Sequence, residues 1–197
     1  MKNSTIIKSG FLMLIFMLIC VFFVSLAEKT TKAKIEINEQ ELLIKRLNEI
    51  VSNYDNPILD DKFYKTIDLH GIEQMITIFP AKINNTVFAH LVEHTYPNGY
   101  NGNIRLLTGI NVDGSLLGVR VVNHKETPGL GDKIETRKSN WIKSFTGLSL
   151  KNTERSKWKV KRDGGIFDQF TGATITPRAI VSAAYQILDY FSKNEIK

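Results

Sequence analysis

Hydrophobic positions along this chain change their rhythm four times. From Gly10 to Ala27, GFLMLIFMLICVFFVSLA, the apolar run is unbroken and carries no charge over 18 residues. At a rise of ~1.5 Å per residue it makes a helix about 27 Å long, against a hydrocarbon core of roughly 30 Å. It predicts a transmembrane anchor, with Lys2 and Lys8 before it and Glu28 closing it. Ser25 and Ala27 also make a small-x-small end of the kind found at signal-peptide cleavage sites. The run exceeds the ~7–15 residues of a signal h-region, which favours a retained anchor. The segment that follows is charged, and Ile35, Leu42, Leu43, Leu47, Ile50 and Val51 recur at near-helical spacing. This predicts a helix from Lys29 to about Ser52, packing its stripe on the domain and closed by Asn53 and the turn-forming Asp55–Pro57.

The middle of the chain alternates with the period of extended backbone. Asn84-Asn85 and Asp113-Gly114 each lie between β-rich runs, the composition of tight hairpin turns. Gln74–Ala81, Thr86–His94, Asn103–Asn111 and Leu116–Asn123 are therefore expected to form an antiparallel meander. A short helix near Lys138–Thr146 and a strand around Lys157–Lys161 follow. Ile180, Val181, Ala184, Ile187, Leu188 and Phe191 then mark a last amphipathic helix. The fold class is α+β.

Composition narrows the chemistry. Hydrophobic residues are 43% and charged ones 23%, so the bulk is globular. The 26 Lys+Arg against 20 Asp+Glu give a formal +6, but the excess is spread along the chain, with no basic arm for nucleic acid. Lys2, Lys8 and the amino terminus nearly balance Lys29, Lys32 and Lys34 across the apolar run, so charge does not orient the anchor. The one cysteine, Cys20, sits inside that run, which excludes a thiolate metal site or iron–sulfur cluster beyond it. Of His70, His90, His94 and His124, the pair His90 and His94 would share one face of a helix but sits in an expected strand with no HExxH-type pattern, and no nucleophile elbow, phosphate-binding Walker loop or GxGxxG is present.

Two stretches carry candidate chemistry. In HKETPGLGDKI, His124 to Ile134, Pro128, Gly129 and Gly131 force a tight backbone with N–H groups free to approach a ligand. Glu126 and Asp132 are acids within that turn. In DQFTGATITPR, Asp168 to Arg178, Pro177 suits the first position of a helix, which makes Thr176 its N-cap. Such a threonine only caps the helix, or it carries a phosphate ester at the positive end of the helix dipole, with Arg178 nearby and Gly172 and Ala173 leaving the approach open. A threonine hydroxyl does not react unaided, so attachment requires a separate activating enzyme.

Asp168-x-x-Thr171-Gly172-Ala173-x-x-Thr176 resembles the signature recognised by flavin transferases, which join FMN through its phosphate to the last threonine. Most of the chain after Tyr54 is similar to the RnfG (RsxG) family, the G subunits of Rnf electron-transport complexes, which share an FMN-binding domain with NqrC subunits. PNGYNGNIRLL, HKETPGLGDKIETR, SNWI and KRDGGIFDQFTGATITPRAIV carry the likeness. The C-terminus is short for the family and ends soon after the last helix.

The resemblance implies a twisted antiparallel sheet with flanking helices behind a single membrane span. Residues 1–9 would be cytoplasmic, 10–27 the anchor, 28–53 a membrane-proximal helix and 54–197 a periplasmic FMN-binding domain at the inner membrane. It implies FMN esterified to Thr176, with Thr171, Gly172, Ala173, Thr174 and Ile175 around its phosphate and ribityl chain. Glu126, Thr127, Leu130 and Gly131 would approach the ring, Lys133 would hold the loop, and Tyr100, Asn101 and Lys161 are further contacts. Asp168, with Gly172, Ala173 and Thr176, would serve recognition by the transferase. The implied function is an electron relay in an ion-translocating complex, with the other subunits and the transferase as partners. The alternative is a structural or periplasmic binding subunit in which Thr176 only caps a helix.

Overall fold

A computed structural model describes residues 2–69 and 71–194, so His70 lies outside the described residues. The chain divides into two compact units, one up to Ile44 and the other from Lys45. The helix α1 (Lys2–Ile50) belongs to both. No glycine or proline interrupts it after Gly10, so the anchor and the helix expected from Lys29 are one continuous element. Between Phe11 and Leu26 its large apolar side chains are exposed, from 40% at Ile15 to 75% at Met13. This is the one helix, among the described residues, long and apolar enough to cross a membrane.

The expected apolar stripe packs only at its far end. Leu47 and Val51 are buried in the second unit, whereas Ile35 and Leu42 stay exposed. Arg120 Nε donates to Glu49 Oε2 at 3.0 Å and its Nη2 to the Glu49 carbonyl at 2.9 Å. Ile50 lies over a flat spot where Gly109 and Gly118 pair across two strands. A Cβ at Gly109 would overlap its side chain.

The second unit is built on a five-stranded meander: β1 (Phe63–Asp68), β2 (Glu73–Ile83), β3 (Thr86–Gly99), β4 (Gly102–Asn111) and β5 (Leu116–Asn123). Each strand pairs antiparallel with its chain neighbour, in the order β1-β2-β3-β4-β5. The hairpin turns fall where the sequence places them. Asn84 and Asn85 both have positive φ, 48° and 63°, as a two-residue turn matching the strand twist requires. The β1 strand is additional to the four expected. The helix α2 (Ile175–Lys193) covers the sheet, burying Ile180, Val181, Ala184, Ile187 and Leu188 against a core that includes Ile76, Val92, Ile104 and Leu106.

Between β5 and α2 the chain runs through short 3₁₀ turns. The helix expected near Lys138–Thr146 is the 3₁₀ turn Trp141–Phe145. The strand expected around Lys157–Lys161 does not form. Trp158 and Val160 do point inward, but 3₁₀ turns at Arg155–Lys157 and Lys161–Asp163 present them, and only Val160 makes a bridge, to Phe167. Here Phe167 stacks on Phe145 with centroids 4.4 Å apart, and the Trp141 ring meets Phe170 edge-on at 5.0 Å.

One core group makes stability depend on pH. His94 is buried on β3 with a ring nitrogen 3.0 Å from Thr108 Oγ1, and burial pushes its pKa down from 6.5 to about 4. The unfolded chain therefore binds this proton first. Its contribution is fully present above pH 6.5 and is lost as pH falls toward about 4, a change on the order of 3 kcal/mol. Denaturant midpoints between pH 7 and 4 are expected to fall for the native protein, and His94→Gln to flatten that slope.

Candidate functional site

Three pieces of backbone converge beside the start of α2. The first is the tip of the β3–β4 hairpin, where Gly99 pairs with Gly102 and only Tyr100 and Asn101 make the turn. The second is the loop after β5. Its backbone is closed by N–H groups of Leu130 and Gly131 donating to the Thr127 carbonyl, at 3.2 and 3.0 Å. Gly129, with φ +78°, donates its N–H to Asp132 Oδ1 at 2.8 Å. That hydrogen bond is the main cause holding the buried Asp132 carboxyl below its usual range. The third is the segment Phe167–Thr174. Trp141 Nε1 donates to the Asp168 carbonyl at 2.7 Å, and Phe167 and Phe170 are buried in the aromatic cluster. The Ala173 N–H then returns to the Phe170 carbonyl at 3.2 Å, closing a turn with Gly172 at φ +81°.

A cleft of about 300 Å³ lies between them, lined by Tyr100 from the first, Glu126, Thr127, Leu130 and Gly131 from the second, and Gly172 to Thr176 from the third. Tyr100, Leu130 and Ile175 are exposed at 64%, 41% and 44%, an apolar set at the mouth. The floor is polar. Thr176 is 1% exposed and donates its hydroxyl to Glu126 Oε2, on a carboxylate that is itself buried. Glu126 Oε1 accepts from the Asn101 N–H at 3.1 Å, and Asn101 Nδ2 donates to Thr127 Oγ1 at 3.2 Å. The Glu126 N–H donates to His124 Nδ1 at 3.0 Å, which leaves the proton on Nε2 to face Glu135 Oε1 at 3.1 Å. Burial works to raise the Glu135 carboxyl. Hydrogen bonds from Arg137 and His124, and the Arg137 charge, outweigh it and hold the group below its usual range.

The expected cap is corrected. α2 begins at Ile175 with Thr174 in the N-cap position, so Thr176 and Pro177 lie within the first turn. Thr176 spends its hydroxyl on Glu126 rather than on its own helix. Proline is tolerated there because the first four helix N–H groups lack intrahelical partners. Thr171 is exposed on the turn. Lys133, Lys161, Asn101 and Asp168 do not line the cleft. Lys161 pairs with Asp168 at 2.5 Å, both side chains being exposed, and Arg178 forks onto Asp163 at 2.6 and 2.9 Å, away from Thr176. His90 lies 6.2 Å from the Phe191 ring, and among the described residues no cluster of three metal-ligating side chains occurs. Gly99 was not anticipated; a Cβ there would lie 2.8 Å from Glu126 Oε1. Its one local signal is the Asn98-Gly99 pair ahead of the hairpin tip.

Residues 99–189 match the family profile of the FMN-binding domain, and residues 1–50 that of the RnfG N-terminal region. Three relatives bear the name of the G subunit of an ion-translocating oxidoreductase complex. The one from Vibrio atlanticus (strain LGP32) is 40% identical, covering 97% of this chain and 92% of its own. Those from Shewanella baltica (strain OS223) and Shewanella amazonensis (strain ATCC BAA-1098 / SB2B) are each 43% identical, over 99% and 98% of this chain and 93% and 91% of theirs. The chain belongs to this family of complex G subunits. It is a membrane-associated electron-transport flavoprotein with an FMN-binding domain.

The cleft suits that group. Gly131 and Gly172 leave its walls bare: a Cβ on Gly131 would stand 3.0 Å from Thr176 Oγ1, and one on Gly172 3.1 Å from Leu130. The apolar residues at the mouth suit a flat ring, and the threonines and backbone N–H groups deeper in suit a phosphate.

Proposed function

We propose that the chain relays electrons within an Rnf-type complex through one FMN, joined by its phosphate to Thr176. The observation that carries this reading is the placement of the Thr176 hydroxyl at the floor of the cleft described above. The bound flavin supplies the redox chemistry; the chain supplies the tether, the position and the ring environment. Thr127, Thr174 and the turn at Gly172 surround the phosphate and ribityl chain, and Tyr100, Leu130 and Ile175 flank the ring. Asp168 stands 68% exposed at its side chain, available to a flavin transferase, and Lys161 is its partner rather than the phosphate's. The relatives' name supports coupling of electron transfer to ion translocation.

The proposed topology follows the family. The amino terminus is cytoplasmic, α1 crosses the inner membrane once, and the flavin domain is periplasmic. A covalent link suits an exported domain, where a lost flavin is not readily replaced. Digestion of the chain made together with a flavin transferase is expected to yield one flavin-bearing peptide. Fragment-ion mass spectrometry should place the FMN phosphate on Thr176. Localisation on Thr171 or Thr174 would refute the register of the site.

A further inference from the structure

Glu126 is buried, and yet no cation pairs with it among the described residues. Its carboxylate accepts from the Asn101 N–H through Oε1 and from the Thr176 hydroxyl through Oε2. A buried carboxyl group with so few partners is a poor choice if the only need is to fill space. Two glycines are packed against this one group. A Cβ on Gly99 would lie 2.8 Å from Oε1, and one on Gly131 would lie 3.0 Å from both Oε2 and Thr176 Oγ1. Only glycine lets the backbone close this tightly on the hydroxyl–carboxylate pair, and Glu126, Gly131 and Thr176 all line the cleft.

We infer that Glu126 is the proton acceptor for Thr176 during flavin attachment, a catalytic residue that the acceptor chain itself brings to the transferase. This rests on the reading that Thr176 is the attachment site. A neutral threonine hydroxyl is a weak nucleophile, and an adjacent base within hydrogen-bond reach is the usual means of activating one. Here the Oγ1–H bond breaks and its proton passes to Glu126 Oε2 as the Oγ1–P bond forms. The phosphorus is that of an FMN anhydride, flavin adenine dinucleotide, supplied with the transferase. Its P–O anhydride bond breaks, and adenosine monophosphate leaves with the bonding electrons. Nothing is oxidised or reduced. The Asn101 N–H holds the other carboxylate oxygen, which keeps Oε2 turned toward the threonine.

The test is the initial rate of covalent labelling of the full-length chain in detergent micelles by purified flavin transferase and flavin adenine dinucleotide. Labelling is read as flavin fluorescence in a denaturing gel. Glu126→Gln keeps the shape and removes the base. It is expected to slow labelling about 10²-fold at neutral pH, while circular dichroism shows the native fold. A slowing of less than tenfold would overturn the role of Glu126 while leaving Thr176 as the site. An unlabelled wild type, or a Thr176→Ala chain labelled as well as wild type, would overturn the site and this role with it. If Glu126→Gln does not fold, Glu126→Asp replaces it, holding the carboxylate one methylene short. The same tenfold threshold then decides.

Discussion

Thr176→Ala, produced together with a flavin transferase, is expected to give no fluorescent flavin band in a denaturing gel, against a clear band for the native chain. Alanine keeps the helix, being the best helix former, and removes the one oxygen that can become the ester. Exposure alone would favour another site. Thr171 is exposed and Thr174 half-buried, whereas Thr176 is 1% exposed. The structure distinguishes Thr176 by what its hydroxyl touches, a buried carboxylate at the end of an open cleft. Thr171→Ala and Thr174→Ala are therefore expected to weaken the band without erasing it. The same Thr176→Ala change leaves Glu126 with only the Asn101 N–H, so it should also cost the fold about 1–3 kcal/mol. Thr176→Ser restores the oxygen and should recover the label. A Thr176→Ala band as bright as the native one would reject the attachment site.

Gly165→Ala is expected to be the most damaging single methyl in the domain, costing about 4 kcal/mol. The chain doubles back there. The Gly165 N–H donates to the Val160 carbonyl, that of Ile166 to Lys157 and that of Phe167 to Lys159, while Lys161 donates to the Phe167 carbonyl at 2.7 Å. A Cβ on Gly165 would overlap the Lys159 backbone, carbonyl included. Overpacking against backbone is not relieved by a rotamer change, so relief means breaking these hydrogen bonds and shifting Phe167 off Phe145. In a protein of this size the loss corresponds to a fall in Tm of roughly 8–16 °C. Because Asp168 follows Phe167 directly, flavin labelling should drop with it. Gly164→Ala makes the contrast. Gly164 has φ +87° with open space around its Cβ position, so the backbone preference alone applies, about 1–2 kcal/mol. Thermal melts of the two variants that fall together would contradict this account.

The elements legible in the sequence were those whose signals are local. An uncharged run of 18 residues states its own length against a bilayer, and the structure contains a helix apolar enough to cross one. Asn84-Asn85 and Asp113-Gly114 mark their hairpins because few residues accept a left-handed backbone. The cleft was legible for a different reason. Of the residues that the family likeness names, Tyr100, Glu126, Thr127, Leu130, Gly131 and Gly172–Thr176 line one cleft, whereas Thr171, Lys133, Lys161 and Asp168 do not.

Where local signals were ambiguous, tertiary structure decided. Phe63–Asp68, FYKTID, is short, with Lys65 and Asp68 among its six residues, and it is a strand because β2 offers it an edge to pair with. Lys157–Lys161 alternates like a strand, and its apolar residues are buried, but the chain presents them through 3₁₀ turns and no neighbour completes a ladder. Alternation reports which side chains go inward, not whether a second strand is there. The proline at 177 reads locally as the first residue of a helix with Thr176 as cap. The partner that takes the threonine's hydroxyl instead is 50 residues away in sequence. The sequence by itself thus determined the long apolar helix and the meander's inner turns. The tertiary structure alone decided that the threonine faces a buried carboxylate, since hydrogen-bond partners across such a separation are chosen by how the loops pack and not by any pattern along the chain.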